Sequence, residues 1–124
     1  MPESFARAFA AIFNTQSLDR LLTLYTGHSV LNLGGGTLLK GQDQIRAGLA
    51  NFLAPQLPMI VSPRFQTVSG ETAVVAFDWS IDGTASDGRQ VHLKGRAIDV
   101  IRRDSDGVWR QLLDQPFGGD TVPA

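Results

Sequence analysis

The sequence predicts an α+β domain in which helices pack on one face of a curved antiparallel sheet. Three observations carry that expectation. Apolar residues recur at helical spacing in three stretches of the first half. From Ala73 they alternate instead, as in half-buried strands. The stretch from Gly95 to Gly118, GRAIDVIRRDSDGVWRQLLDQPFG, holds two strand-like runs around Asp104-Ser105-Asp106-Gly107, a cluster suited to a hairpin turn.

A chain of 124 residues is one domain, 1–124, with room for a single core. A hydrophobic content of 43% and a charged content of 19% are those of an ordinary globular protein. Net charge is −1 and no basic run exceeds Arg102-Arg103, which argues against a nucleic-acid partner. The chain has no cysteine, so disulfides and thiol chemistry are excluded. The first residues, MPESF, carry an acid and no basic segment, unlike a signal peptide. No run is long enough to span a membrane. No membrane partner is expected, and the expected location is cytoplasmic.

The first helix covers Ser4 to Asn14, with Phe5, Phe9, Ile12 and Phe13 on one face. Pro2 and Glu3 suit its start. Ser17 caps a second helix that buries Leu18, Leu21, Leu22 and Tyr25 and ends at Gly27. Ser29 to Leu33 forms a short strand closed by Gly34-Gly35-Gly36. No Lys-Ser/Thr follows those glycines, so they make a flexible or bulged turn and not a phosphate loop. A third helix opens at Gly41, repeats Ile45, Leu49, Phe52 and Leu53, and stops at Pro55. Met59 to Val68 is a strand interrupted or edged by Pro63. Ala73 to Asp82 and Gln90 to Arg103 form a hairpin about Ser86-Asp87-Gly88. The segment from about 118 to 124 is read as a frayed tail.

The register of that hairpin follows from charge and size. Pairing Asp78 with Arg96 sets Ile81 opposite Leu93, Trp79 opposite Gly95 and Phe77 opposite Ala97. Asp99 then shares the apolar face with Val75, Phe77 and Trp79. A carboxyl there must be paired, hydrogen-bonded or neutral. It is either a pocket acid acting on a polar ligand group, or an acid satisfied by a backbone amide, by Gln111 or by an arginine. Asp114 ends a strand before Pro116, where a carboxylate accepts turn amides. Tyr25, Phe52 and Trp79 belong to the core or to the wall of a pocket. The outer face carries Val74, Ala76, Ile98 and Val100 beside the Asp78–Arg96 pair and suits a dimer contact. His28 and His92 are far apart in sequence, so no metal is expected, and no motif calls for a cofactor. His28 is placed at a helix end, where the dipole favours it.

Taken together, LDRLLTLY from Leu18, GQDQIRAGLANFL from Gly41, Phe77-Asp78-Trp79 and the Gly95–Gly118 stretch resemble the SnoaL-like proteins of the nuclear transport factor 2-like (NTF2-like) superfamily. The resemblance implies a cone of three N-terminal helices wrapped by a strongly curved antiparallel sheet, with a pocket in its mouth for a small, largely apolar oxygenated molecule. It implies a homodimer through the sheet. Members include cyclases, isomerases, dehydratases and non-catalytic domains. Asp99 resembles the acid of ketosteroid isomerases that donates to the substrate oxyanion, and is the catalytic candidate. The isomerase base falls on Leu33 or Asn32, and its oxyanion tyrosine near Phe9, neither with the needed group. The ligand-binding set is Tyr25, Phe52, Trp79, Asp99 and Asp114, for an enzyme of cyclase, isomerase or hydrolyase type or for a non-catalytic module.

Overall fold

The computed structural model describes residues 4–120. In chain order the elements are α1 (Phe5–Phe13), α2 (Leu18–Leu22), β1 (Tyr25–Gly34), β2 (Thr37–Lys40), α3 (Gly41–Leu53), β3 (Ile60–Ser69), β4 (Thr72–Thr84), β5 (Gln90–Arg103) and β6 (Trp109–Asp114). The strands form one six-stranded sheet in the order β2-β1-β6-β5-β4-β3. No described helix is long and apolar enough to cross a membrane.

Local sequence explains the helices. The Ser4 hydroxyl accepts from the Arg7 amide and the Ser17 hydroxyl from the Arg20 amide, so each N-cap satisfies a donor the helix cannot. α1 buries Phe5, Phe9 and Phe13, while Ile12 is only partly buried. α3 buries Ile45, Leu49 and Leu53. Pro2 and Glu3 lie outside the described residues.

α2 is shorter than its pattern suggests. It stops at Leu22, and Tyr25 opens β1. Gly27 and His28 are therefore strand residues, and His28 sits at no helix end. β1 runs from Tyr25 rather than Ser29, because its partner is already there: the Gln111 amide donates to the Leu24 carbonyl at 2.8 Å. Gly34, Gly35 and Gly36 turn β1 into β2 with φ of 84°, 60° and 86°. Positive φ at both central residues is the hairpin turn that matches strand twist, and it admits glycine without strain.

The β4–β5 hairpin has the register that charge and size dictate. Asp78 faces Arg96, Trp79 faces Gly95, Phe77 faces Ala97 and Ile81 faces Leu93. Asp78 binds Arg96 at 3.6 Å and Arg64 at 3.3 Å on the outer face. Val75, Phe77, Trp79 and Ile81 point into the core against the helices. β3 is an edge strand whose register shifts between Pro63 and Phe65, which interrupts the ladder where proline has no N–H to give.

Two features depart from the sequence reading. The sheet is mixed, not antiparallel throughout: β1 pairs parallel to β6, with Val30 beside Leu113 and Leu31 beside Asp114. The chain after Phe117 is not frayed as far as Asp120. The Gly119 amide donates to the Arg96 carbonyl at 2.8 Å, and the Asp120 carboxylate accepts from the Arg96 amide at 2.7 Å. Residues 121–124 of the expected tail lie outside the described residues.

Between Gln115 and Gly119 the chain bulges over the inner side of β5. The Ile98 amide donates to the Gln115 carbonyl at one end of the bulge. Gly95 makes room for it. A Cβ there would lie 2.6 Å from the Pro116 carbonyl oxygen, 2.8 Å from Trp79 Nε1 and 2.9 Å from the Phe117 ring. The Trp79 indole N–H donates to that same carbonyl at 2.7 Å, and the Phe117 ring packs on the indole at 5.5 Å. Gly95→Ala is expected to lower unfolding stability by about 1–3 kcal/mol, as overpacking does. Urea denaturation checks it, and an unchanged midpoint would show that the bulge does not depend on this close approach.

Candidate functional site

The adjoining strands β1, β6 and β5 bring a set of polar groups into the core. Asp99 on β5 is fully buried, Gln111 on β6 is 1% exposed, and Asp114 at the end of β6 is 6% exposed. The Asp99 Oδ2 accepts from Gln111 Nε2 at 2.8 Å, and Oδ1 accepts from the Gln115 backbone amide at 2.8 Å. The Tyr25 hydroxyl donates to Asp114 Oδ2 at 2.5 Å. Ser29, on β1, donates its hydroxyl to the Gln111 carbonyl and fastens the parallel pair from inside.

Asp114 does not take the turn amide that its place before Pro116 suggests. The turn amide expected at Asp114 binds Asp99, and Asp114 takes a tyrosine. Of the roles open to Asp99, the backbone amide and Gln111 are the ones realised.

Burial sets the protonation of both groups. Loss of water is the largest effect on Asp99 and, with the neighbouring Asp114 charge, pushes its pKa well above the usual carboxyl value. The donors Gln111 and Gln115 oppose this and are outweighed. Burial also raises Asp114, to about 6, with hydrogen bonds from Tyr25 and Asp99 pulling back. Asp99 therefore keeps its proton and donates to Asp114, the member of the pair that ionises first. The Tyr25 hydroxyl is pushed well above its usual value by burial and by the Asp114 charge. It stays a donor.

One face of this network meets a cavity of about 30 Å³, room for one water. Its walls include the rings of Phe9, Phe13, Phe52, Phe77 and Trp79, together with Pro116. Among the described residues Asp114 is the polar group with an ionisable side chain on these walls. Phe52, Trp79 and Asp114 of the expected ligand-binding set line the cavity. Tyr25 and Asp99 do not; they reach it through Asp114. Phe9, Phe13 and Pro116 are wall residues that sequence reasoning had assigned to the core or to a turn. Asn32, at one candidate position of the isomerase base, gives its amide to Gln115 Oε1 at 3.3 Å.

A larger concavity, about 540 Å³, lies on the open outer side of β3 to β5, beside Ile60, Ser62, Asp78, Lys94, Arg96 and Asp120. Its central acid, Asp78, is half-exposed and already paired with Arg64 and Arg96. A buried acid on an enclosed wall has more chemical potential than paired charges in water, so the small cavity is the candidate site. Among the described residues no three His, Cys, Asp or Glu side chains are grouped to hold a metal ion.

The SnoaL-like domain family matches residues 6–112. The chain belongs to that family. This SnoaL-like chain is also similar to solved structures, one of them named NTF2-like. A ketosteroid isomerase-like protein from Erwinia carotovora atroseptica is 18% identical, with 89% of this chain and 87% of that chain covered and a TM-score of 0.75. An NTF2-like protein with a cystatin-like fold from Novosphingobium aromaticivorans is 18% identical over 94% of this chain and 79% of that chain, TM-score 0.74. The epoxide hydrolase/cyclase-like enzyme SalBIII, of pyran ring formation in the polyether salinomycin, is 15% identical over 93% of this chain and 88% of that chain, TM-score 0.66. Identities this low establish the shared fold and nothing about chemistry. A search among curated proteins returned no match.

The raised carboxyls have a consequence for stability. A carboxyl whose folded pKa exceeds its unfolded value stabilises most when both states are protonated, below about 4, and that stability is lost as pH rises through the folded pKa. For Asp114, moved from 3.8 to about 6, the loss amounts to about 3 kcal/mol. The stability of the wild type relative to Asp114→Asn is therefore expected to fall by about that amount between pH 4 and pH 8. Urea titrations of both proteins across this range check it, and a pH-independent difference would mean that Asp114 ionises as freely folded as unfolded.

Proposed function

We propose that this SnoaL-like domain binds a small, largely apolar molecule bearing one oxygen in the cavity beside Asp114. The chemistry is of the cyclase, isomerase or hydrolyase type, with Asp114 and not Asp99 as the proton-transfer group. One observation carries this reading: Asp114 is an acid on an aromatic wall, with a pKa near 6. A group poised near the working pH can both take and return a proton. Asp99 and Tyr25 hold that acid in place and set its protonation. The helices closing one face of the sheet, as the superfamily's cone does, keep water from the site.

A non-catalytic ligand-binding or dimerisation module is the second reading. The cavity's size favours it, since about 30 Å³ holds no substrate without movement of the half-buried Phe52 and Phe117 rings packed on Trp79.

We further propose a homodimer through the outer sheet face. Cross-strand rows Thr67–Val74–Val100–Leu113–Val30 and Phe65–Ala76–Ile98 make an apolar band there. Phe65 is 52% and Leu113 37% exposed, more than apolar side chains of a closed core would be. The paired charges of Arg64, Asp78 and Arg96 rim one end, as charges rim stable interfaces.

Each reading has a measurement. Cyclic oxygenated compounds are incubated with the protein and products followed by NMR. If Asp114 transfers the proton, Asp114→Asn lowers turnover at least about 100-fold. Binding of the same compounds without conversion of any by the wild type would establish the non-catalytic reading instead. For the dimer, sedimentation velocity is expected to give twice the chain mass for the wild type and the single mass for Val74→Lys. Equal masses for the two proteins would remove the sheet face from the interface.

A further inference from the structure

The cavity's hydrogen-bonding inventory defines its ligand more narrowly than its shape does. The wall rings of Phe9, Phe13, Phe52 and Phe77 have no polar atom. The Trp79 indole N–H is engaged by the Pro116 carbonyl at 2.7 Å, and proline itself has no N–H. The Met59 amide is engaged by Asn14 Oδ1 at 2.7 Å. The Tyr25 hydroxyl, which reaches the cavity only through Asp114, has its single proton directed at Asp114 Oδ2. The proton of Asp99 is directed at Asp114 as well.

Asp114 is thus the centre of a set of groups that all donate towards it. Two strands supply those donors, β1 through Tyr25 and β5 through Asp99, while α1, α3 and β4 bring aromatic and aliphatic side chains to the same cavity. No cation stands among the groups that act on Asp114. What the wall offers a ligand is an acceptor, and no side chain on it has a donor to spare.

We propose that the oxygen of the bound molecule is a hydroxyl, which donates to the Asp114 carboxylate, and not a carbonyl, which would need a donor. This rests on the reading of the cavity as a ligand site and narrows it to apolar alcohols. A ketone of the same shape would bury its oxygen without a partner, and such an unmade hydrogen bond weighs heavily against binding. The stoichiometry also separates alcohols from amines. An ammonium brings three N–H donors to one carboxylate among aromatic walls, whereas a hydroxyl brings one. The charge on Asp114 is already eased by two donated hydrogen bonds and needs no cation to be held. For chemistry, the arrangement points to reactions that begin at a C–O–H group.

The test uses the intact protein and three compounds of one shape: cyclopentanol, cyclopentanone and cyclopentylamine. Dissociation constants are measured by NMR titration at pH 8 and pH 5. At pH 8 the alcohol is expected to bind at least about tenfold tighter than the ketone and tighter than the amine. At pH 5 Asp114 carries a proton and can donate, so the preference over the ketone is expected to shrink several-fold in the wild type. Asp114→Asn, which presents an N–H as well as an acceptor, is expected to bring alcohol and ketone within about twofold at both pH values. A ketone that binds as well as the alcohol at pH 8 would overturn the proposal while leaving the cavity a ligand site. An amine tighter than the alcohol would overturn the hydroxyl assignment in favour of a cation. Binding of none of the three would remove the ligand site itself, and with it both readings. The pH comparison on the wild type decides the matter even if Asp114→Asn does not fold.

Discussion

A carboxyl shut away from water anchors a polar network that joins three strands of this sheet. Asp99 sits on β5 with an amide from Gln111 of β6 and a backbone amide from Gln115 beyond it. Its neighbour Asp114 takes the hydroxyl of Tyr25 from β1. β1 meets β6 in parallel, and the pairing shifts register between Tyr25 and Val30. There the ladder alone is incomplete, and the polar network spans the gap. A buried acid is costly unless it is fully satisfied, and satisfaction here requires all three strands to be in place. Burial raises the pKa of both acids of this network, and Asp114 is the one that ionises first.

The site is a by-product of that requirement. For Asp99 to receive the Gln115 amide, the chain must leave the β6 ladder and bulge over β5. The bulge carries Pro116 onto the cavity wall and Phe117 onto Trp79, and Gly95 leaves the space in which it rests. Pro116 of this segment lies on the cavity wall, and the cavity is polar at one point because Asp114 lies at the root of the same bulge. Structure and chemistry meet in six residues, Asp114 to Gly119.

Much of the fold was legible because its cues are local. Asp78 with Arg96 and Trp79 with Gly95 set the β4–β5 register by charge and by size, and a slip of one residue would have turned every side chain to the wrong face. The caps Ser4 and Ser17 mark helix starts by the donors they satisfy. The misreadings share a cause as well. Leu18, Leu21, Leu22 and Tyr25 fit a helical face, yet Tyr25 is drawn into β1 by a partner, Gln111, that lies far along the chain. β2 has four residues, too few for a period to show. The segment up to Asp120 has the composition of a loose tail, but its amide and carboxylate contacts to Arg96 are nonlocal.

The sequence by itself determined that this is an α+β domain, that Asp99 faces the core, and that the outer face is mixed apolar and charged. Each of these follows from periodicity and from the cost of burying charge, which act between neighbours on one strand or one hairpin. Only the tertiary structure decided that β1 runs parallel to β6, that the turn amide goes to Asp99, and that Asp114 is the acid on the cavity wall. The first and last of those outcomes depend on pairings between residues some 80 or more apart, such as Tyr25 with Asp114, and the second on a contact across 16 positions. Nothing in the spacing of a sequence records which of two nearby acids a distant strand will reach.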